Sequence, residues 1–254
     1  MPLRIYLTGR LTIENDSRAI DQDAFPGKQG LLAFSRLAVD RTHALSRDDL
    51  ATLLWPDKLP RAWDAALHSI LSKLRLLLAK AGLEKARVIS SALGCYQLHL
   101  PTGAWVDVEA ATDSIHEAEG FLKARKWRKA WSSAQVAYHV SRRPFLAGEE
   151  GSWVEEQRER LRTVFARACE CLADTYIRNG EPSIAVDVAR EVVSAQPFRE
   201  TGYQMLMRAH VAAGNRAEAL WVYEHCRKII SEELGVAPSA ETHAVYMSVL
   251  RMTR

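Results

Sequence analysis

Hydrophobic and polar positions change period several times over the first hundred residues. The run LRIYLTGRLTI (3–13) alternates and is rich in β-branched and aromatic side chains, as half-buried strands are. Asn15-Asp16-Ser17 reads as a turn, with a short return strand at Arg18–Ile20. KQGLLAFSRLAVD (28–40) then spaces its apolar residues three and four apart, which predicts a helix. Ser46 precedes RDDLATLLW, and Asp49 three positions later completes a capping box. Pro56 ends that helix by Trp55. Pro60 opens a third helix, which runs to about Lys80 and closes near Gly82. ARVISS, ALG and CYQLHL then form a hairpin that turns at Gly94.

On the third helix, Leu67, Ile70, Leu71, Leu74, Leu77 and Leu78 make one stripe that suits a core, with Trp63 at its edge. The opposite face carries Arg61, Ala65, His68, Ser69 and Ser72, with Lys73 and Arg75 at its margins. A solvated face ordinarily holds more acid and more long charged chains. Strands, three helices and a hairpin, with a short proline turn before the third helix, are the layout of a winged helix-turn-helix. The third helix then stands in the recognition position and the hairpin is the wing.

Beyond PTGAWVD the alternation stops and helical spacing takes over. A shift of 34 residues superposes Leu172 on Leu206, Gly180 on Gly214 and Ala185 on Ala219. Small residues at these offsets let paired helices approach closely, the tetratricopeptide signature. A looser relative, with Ala130, Ala134 and Ala137 on one face, lies in LKARKWRKAWSSAQVAYHVSRRP. Three helix pairs and a final helix after Pro238 are expected. The fold class is therefore mainly α with a small α+β part: an N-terminal winged helix-turn-helix over residues 1–100, then an all-α tetratricopeptide-like domain over 107–254. The aromatics of the second part are assigned to its core.

Charge sharpens this division. The net charge is only +3, yet residues 58–87 hold seven bases (Lys58, Arg61, Lys73, Arg75, Lys80, Lys85 and Arg87) against Asp64 and Glu84. That local patch on the third helix and wing favours DNA over an α+β domain with no nucleic-acid role. The four cysteines make no C-x-x-C pair and no Cys/His quartet, and read as reduced thiols. No phosphate-cradling, nucleophile-elbow, zinc-helix or dinucleotide motif occurs, so no catalysis, metal or cofactor is expected. No apolar run approaches membrane-spanning length and the start is too charged for a signal peptide, so a cytoplasmic location is expected.

GKQGLLAFSRLAVDRTHALSRDDLATLLWPD, ALHSILSKLRLLL and VISSALGCYQLHL together resemble the OmpR-type DNA-binding domain of the Streptomyces antibiotic regulatory protein family. WVEEQRERLR and PFRETGYQMLMRAHVAAGNRAEALWVYEHCRKIISEELGVAPSAET resemble the bacterial transcriptional activator domain that follows it. The resemblance runs from Leu3 to about Leu250. It implies a transcriptional regulator, usually an activator, that binds direct-repeat sites near a promoter and contacts RNA polymerase, like the short form of the family. Gly30 stands where relatives carry arginine, and Trp63 and Asp64 open the recognition helix.

A major groove about 12 Å wide admits a helix whose facing residues are compact. Arg61, His68, Ser69 and Ser72 are assigned to base readout, with Arg61 as the guanine reader. Lys28, Arg47, Lys73, Arg75 and Arg87 are assigned to phosphate, and Ser90, Ser91 and Ala92 to the wing. Asp64 could repel phosphate, accept from a cytosine amino group, or cap the helix. One protomer supplies few contacts, so a homodimer on tandem half-sites of double-stranded DNA is expected. The competing reading is an adaptor that binds a peptide or small signal and uses a degenerate winged helix for protein contact.

Overall fold

The alternating run at 3–13 folds as two strands. β1 (Arg4–Tyr6) and β2 (Thr12–Asn15) pair antiparallel with Ile5 opposite Ile13, and Gly9 between them takes a φ of +77°. β3 (Arg18–Asp21) returns along β2. The structure, a computed structural model, describes residues 2–16 and 18–252, so Ser17, the last residue of the expected turn, lies outside it. A two-residue strand, β7 (Trp105–Val106), joins parallel to β1 and completes the order β3-β2-β1-β7.

Three helices follow the first sheet: α1 (Gly27–Val39), α2 (Arg47–Leu54) and α3 (Trp63–Lys80). The capping box forms as expected. The Ser46 hydroxyl oxygen accepts from the Asp49 N–H at 3.0 Å, and the Asp49 carboxylate accepts from the Ser46 N–H at 3.3 Å. α3 starts at Trp63, not at Pro60. Pro60-Arg61-Ala62 form a turn closed by the Trp63 N–H donating to the Pro60 carbonyl at 3.1 Å. The wing hairpin is β5 (Ile89–Ala92) and β6 (Cys95–Leu98), and β4 (Leu45–Ser46) adds to its free side in the order β4-β6-β5.

Two compact units are present: Met1–Ala111 with Val140–Leu161, and Thr112–His139 with Arg162–Arg254. In the first, the α3 stripe packs with Phe34 and Leu37 of α1, Leu50 of α2, and Ile5 and Ile13 of the sheet. The same core contains Phe145, Leu146, Trp153, Val154 and Leu161. Residues 140–161 thus lie with the winged-helix part, which a division at 100 and 107 does not foresee. Backbone bonds hold the segment there. The Gly9 N–H donates to Pro144 O at 2.8 Å and the Leu146 N–H to Leu7 O at 3.1 Å. The Arg158 guanidinium donates to the carbonyls of Phe145, Leu146 and Glu149. Asp107 is 1% exposed, and its carboxylate accepts from the N–H groups of Leu7, Thr8 and Val108 and from the Thr8 hydroxyl.

The second unit takes its helices from α4 (Asp107–Lys123), α5 (Trp127–Ser141), α6 (Ser152–Arg178), α7 (Pro182–Ala195), α8 (Glu200–Ala212), α9 (Arg216–Leu234) and α10 (Ala240–Arg251). These are the three pairs and final helix that the 34-residue repeat implies. Gly180 and Gly214 sit in equivalent turns with φ of +80° and +78°, a conformation that favours glycine. Ala185 and Ala219 are fully buried where the paired helices close. Arg167 on α6 grips Glu119 on α4 through two bonds of 2.7 and 2.8 Å, and that contact holds the Glu119 carboxyl below its usual range. Of the aromatics assigned to the core, Tyr203 is fully buried, but Trp221 is 73% exposed.

Candidate nucleic-acid interface

α3 separates its two faces cleanly. Leu67, Ile70, Leu71, Leu74, Leu77 and Leu78 are its buried residues, the stripe read from the sequence. Ala65, His68, Ser69, Ser72 and Lys73 are all exposed. Ser69 and Ser72 stand one turn apart, with short side chains that let another surface approach the helix. Leu76 continues this face at 51% exposure. It was missed because a leucine in a leucine-rich helix reads as core; its position outside the 3–4 stripe was the available signal.

The other assigned residues fall into two groups. Arg61 lies in the turn before α3 and Lys73 on its outer face; both are exposed and have no ion pair among the described residues. Arg47, Arg75, Arg87, Lys28 and His68 have partners within the protein. Arg47 lies 3.8 Å from the Asp64 carboxylate, with its guanidinium carbon 5.8 Å from the centre of the Trp63 ring. Arg75 Nε donates to the Ile89 carbonyl at 2.9 Å, which ties α3 to the base of the wing. Arg87 is 82% exposed and 3.4 Å from Glu84. Lys28 Nζ sits 3.3 Å from Glu149, at the start of α1.

His68 is engaged on both ring nitrogens. Nδ1 lies 2.8 Å from the Asp64 carbonyl, an acceptor, so Nδ1 carries the proton and donates. Nε2 is then the acceptor for the Tyr96 hydroxyl of β6 at 3.2 Å. In the free protein His68 is therefore a link from α3 to the wing, beside the Arg75–Ile89 tie. Asp64, left open by the sequence, is half exposed and engaged within the protein: its carboxylate has Arg47 at 3.8 Å and the His68 ring at 3.7 Å. Those neighbours offset its charge at the end of α3 where a negative group is favoured. Gly30 also has a reason. A Cβ there would come within 2.4 Å of Pro26 Cγ, so no side chain fits without displacing a rigid ring.

The wing ends in a two-residue turn. Ala92 pairs with Cys95, and between them Leu93 and Gly94 take φ of +51° and +75°. Two left-handed residues fit a hairpin's twist, but asparagine, aspartate or glycine is preferred at the first. A left-handed conformation costs an ordinary L-residue about 1–2 kcal/mol. The Leu93 side chain is fully exposed. Ser91 and Ala92 are exposed, while the Ser90 hydroxyl is 2.8 Å from His99 Nε2.

A winged helix-turn-helix with an open, compact helix face, followed in the chain by a tetratricopeptide-like array, defines a class of regulator architecture. The bacterial transcriptional activator domain matches residues 106–250, and the chain belongs to that family, among the regulators of the Streptomyces antibiotic regulatory protein type. Transcriptional regulatory protein EmbR of Mycobacterium tuberculosis is 25% identical over 232 residues, covering 89% of this chain and 58% of its own. Regulatory protein AfsR of Streptomyces coelicolor is 29% identical over 227 residues, covering 89% of this chain and 22% of its own. The solved structure of M. tuberculosis EmbR with a low affinity phosphopeptide superposes with a TM-score of 0.87 at 24% identity, over 99% of this chain and 66% of that one. That likeness carries the fold. The chain spans less than two thirds of the length of these relatives.

Proposed function

We propose that the protein is a sequence-specific DNA-binding transcriptional regulator, an activator that occupies direct-repeat promoter sites as a homodimer and contacts RNA polymerase. The observation that carries this reading is the outward face of α3. Ala65, Ser69 and Ser72 make it compact, Arg61 and Lys73 flank it with uncommitted cations, and the wing stands beside it. A helix of this kind fits a major groove about 12 Å wide, where serine hydroxyls can bond base edges and an arginine can take a guanine. Arg61, Ser69 and Ser72 read bases; His68 joins them by giving up its Tyr96 bond and turning Nε2 to a base edge. Lys73 takes phosphate directly, and Arg47, Arg75, Arg87 and Lys28 do so from side chains already oriented by Asp64, Ile89, Glu84 and Glu149. Two protomers on half-sites about 34 Å apart double the contact set.

The test is a gel shift of genomic fragments with the purified chain, followed by footprinting of the fragments retained. Protection of two repeats one helical turn apart, upstream of a promoter, is the expected result. Lys73→Ala should weaken all sequences alike and flatten the salt dependence by about one ion. Absence of binding to any fragment at low salt would remove the reading in favour of the adaptor.

A further inference from the structure

The helical-repeat unit contains a cavity of about 350 Å³ lined by α4, α6 and α8, within the range usual for small-ligand sites. Its lining follows the repeat. A shift of 34 residues places Glu170 on Gln204, Cys171 on Met205 and Asp174 on Arg208, so one face of α6 and the same face of α8 look into one space. At the last of these positions the charge reverses. Asp174 and Arg208 line the same cavity with opposite sign, yet among the described residues no ion pair joins them. We propose that the cavity binds a small zwitterion, a free amino acid or dipeptide with an apolar side chain, its ammonium held by Glu170 and Asp174 and its carboxylate by Arg208. This lies outside DNA recognition and does not depend on it.

Three features set the chemistry of the ligand. First, the acidic end is short of donors. One oxygen of Glu170 is buried and accepts no hydrogen bond, with Arg199 4.0 Å away. Asp174, one turn further along α6, has only Arg178 at 3.7 Å, an exposed pair of the kind that contributes little. A buried acceptor without a donor is costly, and a primary ammonium brings three donors. Second, the basic end is open. Arg208 is exposed and makes no hydrogen bond or ion pair among the described residues, so its guanidinium can grip a carboxylate through two parallel bonds. Arg167, the other cation of the lining, is already committed to Glu119. Third, the remaining wall is apolar, with Leu122, Ile177 and Met205. Burial, reinforced by the Glu119 and Glu170 carboxylates, pushes the Cys171 thiol up to about 12, so it stays uncharged. A ligand charged at one end alone leaves the opposite end unmatched, and the middle of a peptide chain carries neither terminus.

The experiment is titration calorimetry on the whole chain without DNA, with L-leucine and L-leucyl-L-leucine as the two zwitterions. 4-Methylpentanoate is leucine without its amine, and isoamylamine is leucine without its carboxylate. At least one zwitterion should bind and raise the melting temperature, and the tighter of the two identifies the source. Each one-ended analogue should bind about tenfold more weakly or worse, the effect of losing one charged contact. Asp174→Asn and Arg208→Gln should each weaken the zwitterion by about the same factor. Both side chains are exposed, so the unliganded variants should melt with the parent. Arg208→Gln should leave isoamylamine binding unchanged and Asp174→Asn should leave 4-methylpentanoate binding unchanged, because neither analogue uses the group removed. Failure of both zwitterions to bind at about 10 mM would overturn the proposal. So would analogues that bind as tightly as leucine, or variants that bind leucine and the dipeptide like the parent. DNA binding is read separately by the gel shift, so either reading can fail without the other.

Discussion

Asp107 offers the sharpest quantitative test of how the first unit is held together. Its carboxylate lies where α4 begins and gathers four donors from two distant points of the chain: the Leu7 N–H at 3.0 Å, the Thr8 N–H at 2.8 Å, the Thr8 hydroxyl at 2.7 Å and the Val108 N–H at 2.8 Å. Leu7 is fully buried and Thr8 only 2% exposed, so water cannot replace the carboxylate at either backbone group. Asp107→Ala strands both of those donors. Each buried, unpaired N–H costs about 1–3 kcal/mol, while the Thr8 hydroxyl can rotate toward another acceptor and Val108 is partly wet. The loss should be about 3–5 kcal/mol, a large share of the 5–15 kcal/mol that ordinarily separates folded from unfolded chains. Asp107→Asn keeps one acceptor oxygen and should cost less, about 1–3 kcal/mol. Urea denaturation gives the totals, and hydrogen exchange at the Leu7 and Thr8 amides shows whether protection is lost locally. A cost below about 1 kcal/mol for the alanine variant, or a greater cost for asparagine than for alanine, would refute the reasoning.

Other perturbations probe the remaining contacts. Tyr96→Phe removes the donor to His68 Nε2; it should cost at most about 1 kcal/mol in stability, and nitrogen NMR should show the His68 Nε2 resonance shift while Nδ1, still bonded to the Asp64 carbonyl, keeps its proton. Gly30→Ala forces a Cβ toward Pro26 and should destabilise by about 1–3 kcal/mol, with much of that recovered in the Pro26→Ala double variant, as a thermal-melt cycle would show. The Glu119–Arg167 pair contributes above the unfolded carboxyl pKa, about 4.3, and that contribution is lost as pH falls through the lower folded-state value. Glu119→Gln should therefore flatten the acid arm of the stability curve. About a third of each side chain is exposed, so the effect should be about 1 kcal/mol or less, measured by melting between pH 3 and 7.

Much of this architecture was legible because it rests on local physics. The α3 stripe, the Ser46–Asp49 capping box and the hairpin turn at Gly94 follow from spacing and turn chemistry, and the 34-residue shift located the helix pairs through Gly180 and Gly214. What escaped depends on pairing across distance. β4 and β7 are two residues each, too short to alternate, and exist only because β6 and β1 offer free edges. The break between β1 and β2 within the run at 3–13 is set by the backbone of Gly9, which does not change the hydrophobic pattern. At the site, the outward identity of Ala65, Ser69 and Ser72 was readable from helical phase. The Tyr96 partner of His68, the Ile89 partner of Arg75 and the Glu149 partner of Lys28 were not, since each lies outside the helix that carries the residue it meets. Leu93 hid as an ordinary turn residue; only its backbone angle and complete exposure set it apart.

The return of residues 140–161 to the first unit bears on how such proteins can be cut and recombined. A fragment that stops at residue 105, just before the stretch matched by the activator-domain family, keeps α1 to α3 and the wing but loses Asp107, Phe145, Leu146, Trp153, Val154 and Leu161. It would leave bare the apolar surface those side chains cover and strand the Leu7 and Thr8 donors. The genetic seam and the physical seam do not coincide. Domain swaps made at the sequence boundary should yield sticky, poorly soluble hybrids, and grafts that carry the 140–161 segment along with its host should behave.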